Sequence, residues 1–149
     1  MNAPTIHASA VLVGARAVLI RGVAGTGKSS LAFALIQAGE SGALPFARLV
    51  GDDWLHVEAA HGRLIVRPAQ TLAGLIEIRG LGIRRVPFEP LAVVGLVIDL
   101  GAADSKRLPP PANASTTVAG IALPRLAVAP GADPLVLLFA ALRTADSGT

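Results

Sequence analysis

Residues 22–29 read Gly22-Val23-Ala24-Gly25-Thr26-Gly27-Lys28-Ser29, a G-x-x-x-x-G-K-S string spaced to hold a polyphosphate. Glycines admit backbone angles that other residues resist, so successive N–H groups can turn inward around an anion. In such a loop Lys28 reaches the β- and γ-phosphates, the Ser29 hydroxyl completes a Mg²⁺ site, and Ser30 follows as the helix begins. About two dozen residues on come Asp52 and Asp53. Phosphoryl transfer to a hydroxyl needs one carboxylate to accept the proton and another to hold Mg²⁺ directly or through water. Adjacent acids at a strand end suit both tasks, because successive side chains point to opposite sides. A solvated turn competes as an explanation, since Asp is favoured there for its own reasons.

Other residues carry weaker signals. Glu77 lies in Ile76-Glu77-Ile78-Arg79-Gly80-Leu81-Gly82-Ile83. A carboxylate between isoleucines and beside Arg79 is either a buried ion pair or a metal-linked acid. The two glycines suggest close backbone packing and fit both readings. Arg107 is a loop cation, either solvated or placed to steady phosphoryl charge. Arg84-Arg85 reads as a solvated or partner-facing pair. His7 fits a satisfied core histidine, while His56 and His61 form no metal-ligand spacing and read as surface groups.

These residues need elements to position them. The β-rich run 17–20 precedes the glycine loop, and 30–39 reads as a helix closing on Gly39, which is the context the loop requires. Residues 6–13 alternate loosely and join 17–20 through Gly14-Ala15-Arg16 as a hairpin. Residues 47–51 read as a strand delivering Asp52-Asp53. A second hairpin is expected around Ala60-His61-Gly62, a short helix over 71–78, and a buried apolar strand over 91–100. Residues 101–115 are a Pro-rich loop, 116–128 a strand pair around Pro124, and 134–143 a terminal helix. The tail 144–149 is expected to fray. No internal repeat or second domain stands out, and no regular alternation of strand and helix is present, so a doubly wound parallel sheet is excluded.

Composition narrows the class. The chain has 149 residues, 52% hydrophobic and 15% charged, which suits one domain with a real core. Its apolar runs are far shorter than a bilayer span, and no signal segment precedes them, so a cytoplasmic protein without membrane contact is expected. Cysteine is absent, which excludes a disulfide framework and a Cys-based zinc site. Net charge is +3 with one Trp and no Tyr, too little for an expected nucleic-acid face.

The order of motifs resembles one family. His7 opening a strand, the loop at 22–29, Leu49-Val50-Gly51-Asp52-Asp53 and the Glu-Ile-Arg-Gly-Leu-Gly-Ile string at 77–83 resemble the catalytic domain of bacterial HPr kinase/phosphorylase. That string is a far more specific signature than the glycine loop. The likeness continues through Ile98-Asp99-Leu100, Lys106-Arg107-Leu108-Pro109 and Leu123-Pro124-Arg125-Leu126-Ala127-Val128. Without the amino-terminal domain of long members, the chain looks like the short alphaproteobacterial form.

The resemblance implies an α/β fold: a single P-loop kinase domain, 1–143, related to phosphoenolpyruvate carboxykinase. Its strand-rich mixed sheets would carry the loop helix and a C-terminal helix. It implies a protein-serine kinase that uses ATP and Mg²⁺ to phosphorylate HPr, the phosphocarrier of the sugar phosphotransferase system, and removes the phosphate by phosphorolysis. By the same likeness Asp52 is the general base, Asp53 its neighbour near the metal, Ser29 and Glu77 metal-linked, Arg107 catalytic, and His7 and Arg79 accessory. The phosphate would lie on 22–30. Two departures bear on assembly. Pro130-Gly131-Ala132-Asp133 lacks the arginine of the family's P-G-R-N sequence, and the helix stops soon after Arg143, in a region that implies hexamers and a grip on HPr. A nucleotide-binding regulatory module without catalysis, or a kinase of another acceptor, stands as the alternative.

Overall fold

The computed structural model describes residues 4–144. A curled mixed sheet is built from β1 (Thr5–His7), β2 (Ser9–Val13), β3 (Arg16–Arg21), β4 (Ala47–Gly51), β5 (Trp54–Ala60), β6 (Arg63–Pro68) and β9 (Ala92–Asp99), in the order β1-β5-β6-β9-β3-β2-β4. A hairpin of β10 (Ser115–Val118) and β11 (Ile121–Ala127) joins it where β11 runs parallel to the end of β9. Strand β9 is central: its start pairs antiparallel with β6, its end with β11, and its other edge runs parallel to β3. An almost wholly apolar sequence suits a strand paired on both edges and covered on both faces.

Alternation in β3 divides the interior in two. Val18 and Ile20 face helix α1 (Lys28–Glu40), with Leu31, Leu35, Leu49 and Ile98 in the same cluster. Ala17 and Leu19 face the other way, into a cluster with Leu55, Leu64, Val66 and Val97. Helix α1 buries Leu31, Leu35 and Ala38, one stripe at helical spacing. Complete burial of Leu35, which is 0% exposed, is worth roughly 1.5–3 kcal/mol. Helix α2 (Pro134–Arg143) inserts Leu138 into the same cluster, and Asp133 caps it by accepting the Leu135 N–H at 2.9 Å. No described helix is long and apolar enough to cross a membrane.

Three expectations change. The run 6–13 is two strands rather than one, broken at Ala8, whose N–H is taken by the Asp53 carbonyl at 3.1 Å. The expected helix over 71–78 is a 3-10 turn at Gln70–Leu72 followed by strand β7 (Leu75–Ile78), paired antiparallel with β8 (Gly82–Arg85). Gly74 lies between turn and strand at φ 76°, outside helical space. After it Ile76 is buried and Glu77 exposed, the period of a strand. The last hairpin reverses at Ala119 and Gly120, both with positive φ, while Pro124 lies inside β11 opposite Ser115. The helix at 30–39, the hairpin at 60–62, the strand at 91–100 and the helix at 134–143 stand close to their expected bounds. The expected frayed tail falls, apart from Thr144, outside the described residues.

Candidate active site

Strand β3 ends on Arg21, opposite Asp99 at the end of β9. Arg21 grips that carboxylate twice, Nε to Oδ1 at 2.7 Å and Nη2 to Oδ2 at 2.8 Å. Arg125 of β11 donates to the same Oδ2 at 2.5 Å and makes two further bonds to Asp104 in the Pro-rich loop. Burial pushes the Asp99 carboxyl up, but the hydrogen bonds and charges of the two guanidiniums outweigh it and hold the group below its usual range. The two arginines and two aspartates thus tie three strand ends and a loop together where residues 22–27 begin.

The loop is tight at its start. A Cβ on Gly22 would sit 2.4 Å from Thr26 Oγ1 and 3.2 Å from the Leu100 carbonyl oxygen. Thr26 donates both its N–H and its hydroxyl to the Val23 carbonyl, at 3.2 and 2.7 Å. Gly27 then enters the helix at φ 97°, a region where a Cβ is penalised. Lys28 is 7% exposed and arches back over the loop, its Nζ donating to the Gly22 and Val23 carbonyls at 2.8 and 3.3 Å. This brings a cation and the first N–H groups of α1 to one place, an anion-binding arrangement.

The two aspartates at the end of β4 have opposite surroundings. Asp52 is 5% exposed and accepts from Ser9 Oγ at 2.5 Å, from Ser29 Oγ at 2.8 and 2.9 Å, and from the Glu77 N–H at 3.1 Å. It ties β2, α1 and β7 together. Asp53 has φ 75°, and its carboxylate, 57% exposed, pairs with His7 Nε2. Trp54 sets the His7 ring from the side, with centroids 5.1 Å apart. An exposed pair contributes about 0–1 kcal/mol, so the strained backbone at Asp53 is not repaid by that contact. Strain of this kind gathers at functional sites.

His7, Lys28, Ser29, Asp53, Glu77 and Arg79 line one cleft of about 170 Å³ with the loop residues Ala24, Gly25, Gly27 and Ser30. Glu77 is exposed on β7 and also borders a neighbouring cleft with Asp52 and Ile83, so it stands at the cleft wall rather than in a buried ion pair. Gly22, Val23 and Thr26 shape the loop without lining that cleft. Arg107 is elsewhere, beside Lys106, Asp133 and Leu137. His61 sits in the β5–β6 turn and His56 on β5. Two residues without an expected role take part: Ser9, a fully buried serine in an otherwise apolar strand, and Arg21. Their signals were a hydroxyl at a core position and a cation ending an apolar run.

Ser29 suits a hard cation, because its proton is given to Asp52 and its oxygen lone pairs are left toward the cleft. Such a cleft can bind a phosphate chain, share a Mg²⁺ with it, and present Asp53 to an incoming hydroxyl.

Residues 2–88 match the HPr Serine kinase C-terminal domain family. The HPr kinase/phosphorylase of Clostridium tetani is 38% identical over 82 residues, 55% of this chain and 25% of that protein. That of Halalkalibacterium halodurans is 33% identical over 116 residues, 71% of this chain and 35% of that protein. The chain therefore aligns with only a quarter to about a third of these relatives' length. Among solved structures, the Hpr(Ser) kinase/phosphatase from Coxiella burnetii superposes with a TM-score of 0.75 at 28% identity, covering 94% of each chain. With the matched residues spanning the loop, both aspartates and the β7–β8 hairpin, the chain belongs to the HPr serine kinase C-terminal domain family.

Proposed function

We propose that residues 1–143 form an ATP- and Mg²⁺-dependent kinase domain that phosphorylates a serine of HPr, the phosphocarrier of the phosphotransferase system, and removes the phosphate by phosphorolysis. The observation that carries this is the single cleft into which Lys28, Ser29 and the Asp53–His7 pair all open. In the forward direction Asp53 takes the proton of the seryl hydroxyl as its oxygen attacks the terminal phosphorus. In reverse, inorganic phosphate attacks phosphoserine, pyrophosphate forms, and the leaving seryl oxygen recovers its proton from Asp53. His7 orients the carboxylate and steadies its charge. Asp52, buried and already accepting from three residues, holds Ser29 in position. This exchanges the roles that the family resemblance implied for the two acids. A Mg²⁺ held by Ser29 and the cleft acid Glu77 would offset phosphate charge. Lys28 releases its loop carbonyls to meet the phosphates. The names of the relatives suggest HPr as the acceptor.

The test is incubation with HPr and ATP-Mg²⁺, then with inorganic phosphate. Seryl phosphate should appear and then leave with release of pyrophosphate. No transfer under any nucleotide or phosphate condition would sink the reading. A regulatory module that binds nucleotide without catalysis is favoured by one observation, the position of Arg107 away from the cleft. Nucleotide binding with no single-turnover chemistry would establish it.

A further inference from the structure

Trp54 is the chain's one tryptophan, and it stands exposed next to the aspartate that faces the cleft. We propose that Trp54 is a positioning residue: its indole fixes the His7 imidazole, and through His7 it aims the Asp53 carboxylate at the cleft. The inference rests on the role given to Asp53 above and extends it to a side chain that touches no reacting atom.

Connectivity is the first argument. Trp54 donates its N–H to the Asp52 carbonyl at 2.9 Å, closing a three-residue turn with Asp53 at its centre. The φ of 75° at Asp53 belongs to the rare, strained form of that turn. The chain then enters β5, where Trp54 lies directly opposite His7 of β1. Side chains opposite each other on neighbouring strands are close enough to touch, and these two rings do, inclined at 37°. His7 reaches back to Asp53. Turn, indole and imidazole thus close a ring of contacts around the carboxylate.

Need is the second argument. His7 is exposed and belongs to a three-residue strand at the edge of the sheet. A contact between exposed groups holds such a side chain weakly, and free rotamers would scatter Nε2 away from Asp53. An indole alongside removes rotamers by contact. The strand itself is attached by other residues. Ile6 and Leu55, the next opposed pair, pack inward against the core, and the Val57 N–H bonds the Pro4 carbonyl at 3.0 Å. The indole is left to serve the imidazole rather than the strand.

The experiment compares wild type, Trp54→Val, Trp54→Phe, His7→Asn and the double variant Trp54→Val with His7→Asn. Transfer to HPr gives kcat and KM, and proton NMR gives the His7 ring signals. Trp54→Val should lower kcat about tenfold, as small misplacements do, with KM for Mg-ATP and for HPr within twofold. Trp54→Phe keeps a ring and should recover most of kcat. The His7 ring protons should lose their ring-current shift in Trp54→Val and keep part of it in Trp54→Phe. In the His7→Asn background, Trp54→Val should cost less than a further twofold, because residues that act through one another are not additive. Losses that multiply in the double variant overturn the proposal. So does a raised KM for HPr at unchanged kcat, which would make Trp54 a docking residue, or a wild-type kcat in Trp54→Val. If Trp54→Val does not fold, Trp54→Phe decides: a reduced ring-current shift upholds the hold on His7 and an unchanged one overturns it. A wild type without transfer overturns the functional reading, and the His7 spectra then decide the hold on the imidazole by themselves.

Discussion

His7 and Asp53 meet across the break between the first two strands, with His7 Nε2 on Asp53 Oδ1. The residue between the strands, Ala8, gives its N–H to the Asp53 carbonyl, so backbone and side chain both hold the same aspartate. That double hold keeps Asp53 in a left-handed conformation beside a cleft. Its neighbour Asp52 is held by three hydrogen-bond donors from three other elements. One acid is thus presented to solvent and the other is built into the framework.

Replacing Asp53 by Asn should remove phosphate transfer and leave the fold intact. General base catalysis contributes about 10²–10⁴-fold, so kcat should fall by at least about 10²-fold. Nucleotide affinity should stay within about twofold, and stability should change by less than about 1 kcal/mol, the range for exposed pairs. Single-turnover transfer to HPr alongside urea unfolding measures both. Retained transfer would show that another group takes the proton.

Asp52→Ala should behave in the opposite way. It strands the Ser9 hydroxyl, which is fully buried, together with the Ser29 hydroxyl and the Glu77 N–H. Stranding the buried Ser9 hydroxyl costs about 1–3 kcal/mol. The part-buried Ser29 hydroxyl and Glu77 N–H at the cleft regain water, so about 1–3 kcal/mol is the expected total. The urea midpoint should drop with the slope unchanged. A variant as stable as wild type would refute the anchoring role.

Much of this is readable in the residues, and what is not has physical causes. The loop, its strand and its helix were legible because glycine spacing and helical periodicity are local signals. The hairpin β7–β8 was not, because Leu75 and the isoleucines suit a short helix as well as a strand, and only Gly74 and the pairing with β8 decide. The division between Asp52 and Asp53 was hidden for a different reason. It depends on donors from β2, α1 and β7, brought together from 43, 23 and 25 residues away in the chain. No local pattern records such a meeting.

Arg21→Lys should weaken nucleotide binding without touching the cleft. A lysine keeps the charge but loses the two-pronged grip on Asp99. The loop start should then shift relative to Leu100 and Gly101. Small misplacements of a binding loop cost about tenfold or more, and the dissociation constant for Mg-ATP should rise by about that factor. Calorimetric titration at matched stability checks it, and an unchanged constant would mean that the cluster does not position the loop.

The same cluster should make stability depend on pH in a defined window. Burial raises the Asp99 carboxyl, yet Arg21 and Arg125 lower it further, so its folded pKa lies below its unfolded one. The unfolded chain then takes up the proton first. The carboxylate contributes stability above the unfolded value, about 3.9, and loses that contribution as the pH falls through the folded value. Asp104 is also lowered, chiefly by its hydrogen bond to Arg125, but it stands exposed and should contribute less. Asp99→Asn removes the charge at nearly constant shape. Its deficit relative to wild type should be constant between pH 7 and 5 and should narrow below about pH 4, where Asp99 of the unfolded wild-type chain takes up a proton while the folded carboxylate is still ionised. Urea unfolding of both proteins at pH 7, 5, 4 and 3 measures the difference. A deficit that persists undiminished to pH 3 would assign the loss to packing rather than to charge. A deficit that narrows as much for Asp104→Asn would move the origin of the effect to the loop.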